Sequence, residues 1–304
     1  MMIREAVVAG SWYPGEAGAC RRAIEAMRPK APPPAQRPAA QRPAEEEDLP
    51  PRPVAGILPH AGWTFSGPTA VATLDAIRSR RTPQTFVIFG FHHRRAIRRC
   101  AIFPSGGWDT PLGLAEVDER LARELLARVP ELLDDNPQAH EEEHSIEIQV
   151  PLIRHLFPEA RIVPILVAPT DQAAALGRAV GQTISDLEAD AVCLGSTDLT
   201  HYGSGYGFAP KGTGPAALKW MRDENDRRMV DLMARLDAEG VIPEAREHLN
   251  ACGPGAVAAT LAAARVLGAA RGTVVQYTTS ADVMREQMGR LETDMAVGYV
   301  GMVF

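Results

Sequence analysis

Residues 54–90 read VAGILPHAGWTFSGPTAVATLDAIRSRRTPQTFVIFG, and this stretch decides the fold. Val54 to Leu58 is a short apolar run halted by Pro59, which is how a strand buried on both faces reads. Gly67 to Arg78 spaces its apolar residues at helical period, with Pro68 near the first turn. Thr85 to Phe89 is again uninterruptedly apolar. Strand, helix and strand joined by short connections predict a parallel pair with a crossover helix.

The alternation extends outward in both directions. Cys100–Phe103, Arg161–Val167, Asp190–Gly195, Val274–Thr278 and Met295–Val303 read as strands. Glu16–Met27, Asp118–Arg128, Ser145–Phe157, Gln172–Leu187, Lys219–Leu236 and Ala256–Leu267 read as helices. Glu5–Gly15 reads as strand-like before it turns at Pro14-Gly15. The expectation is an α/β fold, a single domain over residues 1–304 with a mostly parallel central sheet flanked by helices. Residues 29–53 hold nine of the chain's 25 prolines. They bury too little apolar area to offset their ordering entropy and read as a flexible, partly polyproline II insertion within that domain.

The bulk properties narrow the function. The chain has 304 residues, a 45% hydrophobic fraction and a net charge of −6. Its pI near 5.8 offers no footprint for nucleic acid or an anionic membrane. The arginines after His92-His93 read as a solvated, locally basic loop. Cys20, Cys100, Cys193 and Cys252 form no close pair, which suits a reducing cytosol and excludes a disulfide framework. With no signal peptide and no apolar run of about 20 residues, a cytoplasmic protein without a membrane span is expected.

Chemistry collects in five short islands. His60 directly follows the first strand of the opening stretch, and Gly62 allows backbone to approach a ligand closely. His93 lies three residues past Gly90, at the exit of the second strand. Two adjacent strands delivering one imidazole each suit two ligands of one metal ion. His92 and His93 compete for that role, since neighbouring side chains leave a loop in different directions. Cys252, in Cys-Gly-Pro-Gly before a helix, sits where a helix N-terminus favours thiolate, the form that ligates metal. Asp198 and His201, spaced i, i+3 in a turn, suit acid/base work or the orienting of a ligand; the plainer alternative is a helix cap beside an exposed imidazole. His144 and Glu147 share the same spacing after the run Glu141-Glu142-Glu143, which reads as a solvated helix start. Trp12, Tyr13 and Trp63 are candidate aromatic walls.

Taken together these islands resemble the Memo family, called AmmeMemoRadiSam system protein B in prokaryotes. The resemblance is carried by Ala9-Gly10-Ser11-Trp12-Tyr13-Pro14, Pro59-His60-Ala61-Gly62-Trp63-Thr64-Phe65-Ser66-Gly67, Glu143-His144-Ser145-Ile146-Glu147, Ser196-Thr197-Asp198-Leu199-Thr200-His201-Tyr202-Gly203 and Cys252-Gly253. The motifs run in family order over nearly the whole chain, the proline-rich insertion excepted. The resemblance implies a fold similar to the class III extradiol dioxygenases (LigB-like), which bind non-haem iron(II). It implies metal ligands at His60, His93 and Cys252, with His144, Asp198 and His201 lining the pocket. Counting from Gly90 favours His93, although the family pattern Gly-Pro-[Ser/Asn]-His is replaced by Gly90-Phe91-His92-His93. Cys252 stands where the dioxygenases would place a carboxylate, so the donor set admits copper or zinc as well as iron(II).

Three functions follow as expectations. The first is an iron-dependent redox enzyme acting on a small-molecule or peptide substrate, with His201, Asp198 and His144 as catalytic residues. The second is a non-catalytic metal- or peptide-binding module working with radical-SAM and AMMECR-type partners. The third is a zinc hydrolase.

Overall fold

The apolar runs that the sequence marks as buried strands form the middle of one nine-stranded sheet. In the computed structural model, residues 1–28, 48–95, 97–289 and 294–304 are described; the proline-rich insertion lies outside them over residues 29–47. The strands are β1 (Ala55–Leu58), β2 (Thr85–Gly90), β3 (Cys100–Ile102), β4 (Leu133–Asp135), β5 (Arg161–Leu166), β6 (Ala191–Ser196), β7 (His201–Tyr202), β8 (Thr273–Thr279) and β9 (Ala296–Val303). They lie in the order β7-β9-β1-β6-β2-β5-β3-β4, with β8 also paired to β9.

The four central strands β1, β6, β2 and β5 are mutually parallel. On one flank β9 runs antiparallel to β1, β7 and β8; on the other, β3 runs antiparallel to β5. The expected mostly parallel sheet is therefore parallel at its centre, with antiparallel joins on both flanks and a parallel pair, β3 with β4, at one edge. Every residue of β1, β2 and β6 is buried, and so is every residue of β9, whereas the marginal strand β8 is only partly covered, as an antiparallel pair tolerates.

Helices Trp63–Arg78 and Pro254–Val266 cover opposite faces of this centre. A side chain at Gly56 would meet Ile77 of the first helix, while one at Gly195 would meet Thr260 of the second. Those glycines sit in facing pairs one residue apart in register, Gly56 with Leu194 and Ile57 with Gly195, so they point to opposite sides. Helix Gln172–Asp186 stacks outside the second helix. There Gly177 is required: a Cβ would come within 2.1 Å of the Ala259 carbonyl oxygen. Among the described residues no helix is long and apolar enough to cross a membrane.

Several elements depart from the sequence expectations. Residues 5–15 form turns and an isolated bridge, not a strand, because their N–H groups bond to a buried carboxylate instead of a neighbouring strand. The helix expected from Ser145 begins as a 3₁₀ turn at Glu147–Gln149 and becomes α-helical at Val150, which places Pro151 in a first turn where its missing N–H costs nothing. Helices Ala238–His248 and Ser280–Met288 were not anticipated. The polar helix starts earlier, at Pro215, and widens into a π turn over Met221–Asp226.

Replacing Gly177 with Ala should destabilise the protein by about 1–3 kcal/mol, the usual cost of overpacking, because the helix pair must separate. Urea unfolding measures it; an unchanged midpoint would show that the two helices do not meet this closely.

Candidate metal centre

Three strands end side by side beneath the site. β1 leads into Pro59-His60, β6 into Thr197-Asp198 and β2 into Phe91-His92-His93. The sequence suggests that β1 and β2 are neighbours; in fact β6 lies between them. Their backbones are thus separated by roughly 10 Å, two strand spacings. The loops close the distance, so the His60 and His93 rings meet edge to face at 5.2 Å between centroids. The intervening strand supplies Ser196 and Asp198 between them.

Around His60, buried to 1% exposure, the polar groups are paired one by one. The backbone N–H of His60 donates to Asp198 Oδ1 at 2.8 Å. Ring Nδ1 lies 2.9 Å from Ser196 Oγ, and ring Nε2 lies 3.4 Å from Cys252 Sγ. Burial, with the neighbouring His93 and His144 rings, holds this imidazole neutral well below its ordinary range. Cys252 is delivered by the loop before helix Pro254–Val266, where its N–H donates to the Asp198 carbonyl at 3.2 Å and its sulfur accepts the Asp198 N–H at 3.2 Å. The turn needs glycine at 253, since a Cβ there would lie 2.6 Å from the Ser196 carbonyl oxygen. The helix N-terminus does not dominate the thiol as the sequence suggests. Burial pushes it far up, the Asp198 charge adds to that, and the hydrogen bonds only partly oppose them.

His93 stands on the other wall with His144, the two rings stacked at 4.1 Å. Its backbone N–H and ring Nδ1 both reach the Glu143 carboxylate, at 2.6 and 2.8 Å. The N–H groups of His144 and Ser145 donate to the same carboxylate at 2.8 and 2.7 Å. Burial pushes the Glu143 carboxyl up, but the His93 ring and these N–H donors reverse the effect and hold it well below the usual carboxylate range. His92 is engaged within its own loop: its Nδ1 accepts the N–H groups of Arg94 and Arg95 and lies 3.7 Å from the Glu143 carboxylate. Of the two neighbours, His93 is therefore the one placed beside His60.

Trp12 closes the wall, 4.3 Å from the His144 ring. It is held there by a second buried acid. Glu147 accepts the N–H groups of Val7 and Val8 and the Tyr13 hydroxyl, and pairs with Arg4 at 2.7 Å. Of the acidic run, Glu141 and Glu142 are exposed as expected, but no helix starts there and Glu143 turns inward. Glu143 and Glu147 are 2% and 1% exposed, and sequence reasoning missed the first as a site residue. The signal available was the pair of acids bracketing His144-Ser145-Ile146, too short a segment for a helical face.

Asp198 and His201 are not on one side of a helical turn. His201 lies on β7, and its Nδ1 bonds to the Leu199 carbonyl at 3.2 Å, while Asp198 serves His60. Burial raises the Asp198 carboxyl to about 7, even though it accepts the His60 and Ala61 N–H groups. Below these loops Asp226, from the π turn, accepts the Thr200 N–H at 2.9 Å, the Thr200 hydroxyl and the Tyr277 hydroxyl at 2.7 Å. Asn225 beside it donates to Thr200 Oγ1 and to the His248 carbonyl, each at 2.9 Å, tying the Asp198 loop to the loop that carries Cys252.

Two groups have donor atoms close enough to share an ion: His60, Asp198 and Cys252, and His93, Glu143 and His144. Glu143 is unsuited to ligation because three backbone N–H donors and the His93 ring already occupy its oxygens. Cys252 Sγ and His60 Nε2 are suited. Metal–sulfur and metal–nitrogen bonds of about 2.3 and 2.1 Å at a tetrahedral angle separate the two donors by roughly 3.6 Å, against the 3.4 Å found. His60 and Cys252 therefore have the chemistry and spacing for a thiophilic transition metal, while His93 falls in the facing group, its ring centroid 5.2 Å from that of His60.

A family model described as Memo-like protein matches residues 4–303. A MEMO1 family protein of Thermococcus kodakarensis is 37% identical over 100% of this chain and 99% of its own, and one of Pyrococcus furiosus is 36% identical over 99% of each. A solved structure of an uncharacterized protein, JW3007, from Escherichia coli K12 aligns with a TM-score of 0.49 and 13% identity, covering 82% of this chain and 99% of that one.

Asp226 gives the site a testable pH dependence. Burial raises its carboxyl to about 6, against an ordinary value near 3.9. The folded state binds this proton more tightly than the unfolded one, so the contribution is full below about pH 4 and is lost as pH rises through about 6. Asp226→Asn cannot ionise. Its stability relative to the parent should therefore improve by on the order of 2–3 kcal/mol between pH 4.5 and pH 8. A stability difference that stays flat across that window, by thermal unfolding, would refute the assignment.

Proposed function

This chain belongs to the Memo family, and from that premise we propose that it holds a transition metal on His60, His93 and Cys252 and performs oxygen-dependent redox chemistry on a small molecule. The observation that carries the reading is the 3.4 Å approach of a buried thiol to a neutral imidazole nitrogen, at the spacing of two ligands on one ion. Bound there, iron(II) would supply positions for dioxygen and a chelating substrate; copper and zinc are the alternatives that the same nitrogen and sulfur donors admit.

The chain's own residues support such chemistry. The His144 ring has no hydrogen-bond partner among the described residues; the Glu143 oxygen at 3.6 Å from its Nδ1 is too far. Burial and the neighbouring His93 lower its pKa to about 4, so it is uncharged near neutral pH and its ring is available to hold a substrate hydroxyl. Asp198, at about 7, exchanges a proton near neutrality. The Phe91 ring lies 5.3 Å from His60 and Trp12 lies against His144, so aromatic rings flank the donors on two sides.

A second reading, a binding module serving radical-SAM and AMMECR-type partners in the cytoplasm, is favoured by the aromatic rim. Trp12 and Tyr206, which flank His144 and His201, are 38% and 49% exposed.

Elemental analysis of anaerobically purified protein tests the first reading. Near-stoichiometric iron is expected in the parent, falling to background in Cys252→Ser and His93→Ala, with oxygen uptake on turnover. Stoichiometric zinc would favour hydrolysis instead. A parent that takes up no metal after reconstitution, yet binds peptide equally well as His60→Ala, would leave the binding module.

A further inference from the structure

The bonds around the two histidines leave no freedom in where their ring protons sit. Ser196 Oγ lies 2.6 Å from the Ser145 carbonyl oxygen. Two oxygens that close with no proton between them repel, so the single hydroxyl proton of Ser196 points at Ser145. Ser196 Oγ can then only accept from His60, so Nδ1 carries the His60 ring proton and Nε2 bears the lone pair facing Cys252.

His93 is fixed in the same sense by different atoms. Three backbone N–H groups, those of His93, His144 and Ser145, converge on the Glu143 carboxylate, and the His93 ring nitrogen Nδ1 lies 2.8 Å from its Oε1. An ionised carboxylate only accepts, so a hydrogen bond at that distance requires Nδ1 of His93 to hold the proton. Both chains of bonds meet in one turn. Glu143 supplies the carboxylate, and Ser145 supplies the carbonyl that orders Ser196. The Ser145 hydroxyl donates to the Phe91 carbonyl at 2.8 Å and accepts the Phe91 N–H at 3.1 Å, binding the same turn to the loop that carries His93.

Resting on the metal-site reading above, we infer that the Glu143–Ser145 turn, acting through Ser196, is a positioning device that locks His60 and His93 in the Nδ1–H tautomer and presents both Nε2 lone pairs to one ion. Glu143 and Ser196 are positioning residues: each acts through an imidazole and neither is a ligand. Outer partners of this kind commonly change metal affinity by 10–100-fold.

Ring nitrogen-15 shifts in metal-free, histidine-labelled protein read the tautomers directly. A titration with cobalt(II), followed by the thiolate-to-metal absorption band, reads affinity. The parent should show Nδ1–H at both rings. Glu143→Gln should release only His93 and Ser196→Ala only His60, each weakening cobalt(II) 10–100-fold. That reciprocal pattern is one that general loosening of the fold cannot produce. Should Glu143→Gln fail to fold, Ser196→Ala and the parent spectra still decide the matter. Either ring found as Nε2–H in the parent, or folded variants that bind cobalt(II) within twofold of it, overturns the inference. A parent that shows both Nδ1–H tautomers but takes up no cobalt(II) defeats the metal reading and leaves the tautomer assignment standing.

Discussion

A polar pocket sunk into the edge of an apolar sheet must bring its own hydrogen-bond partners, because each buried polar group left unpaired costs about 1–3 kcal/mol. That constraint organises this protein. His60, Glu143, Glu147, Asp198 and Asp226 are each less than 5% exposed, and each is met by specific donors or acceptors from a distant part of the chain. Glu143 gathers three backbone N–H groups and the His93 ring; Glu147 gathers the N-terminal segment; Asp226 and Asn225 gather the loops after β6 and before helix Pro254–Val266.

The N-terminal segment shows the same logic at the level of secondary structure. Glu5–Gly15 has the composition of a strand, yet Val7 and Val8 spend their N–H groups on Glu147. Arg4 completes the arrangement with a buried ion pair and with bonds to the carbonyls of His140 and Glu143 at 2.8 and 2.5 Å. Losing one partner of such a pair costs several kcal/mol, since it leaves an uncompensated buried charge. The arrangement joins residues more than 130 positions apart, and its product is Trp12 set against His144.

Much of the site was legible because strand ends in α/β proteins are where loops converge. His60, His93, Asp198 and Cys252 each sit a few residues from a buried strand or at a helix start, and that nearness is written in the sequence. The i, i+3 argument for Asp198 and His201 failed since it assumed a helical turn where the chain is extended. The same assumption hid Glu143. In a helix start its charge belongs in water, whereas in this irregular turn consecutive N–H groups curl around it.

The sequence by itself determined which segments are buried and which residues bear chemistry, because apolar periodicity and side-chain type are local properties. It thereby determined the α/β class and membership of the Memo family. Only the tertiary structure decided that β6 lies between β1 and β2, since strand order depends on which apolar faces pack best and no short window records it. That order places Ser196 and Asp198 between the two histidines. Proton positions on an imidazole follow from the partner opposite each nitrogen, and the partners here come from three separated segments. A hydrogen bond between residues 136 positions apart, as from His60 to Ser196, exists only once the chain has folded.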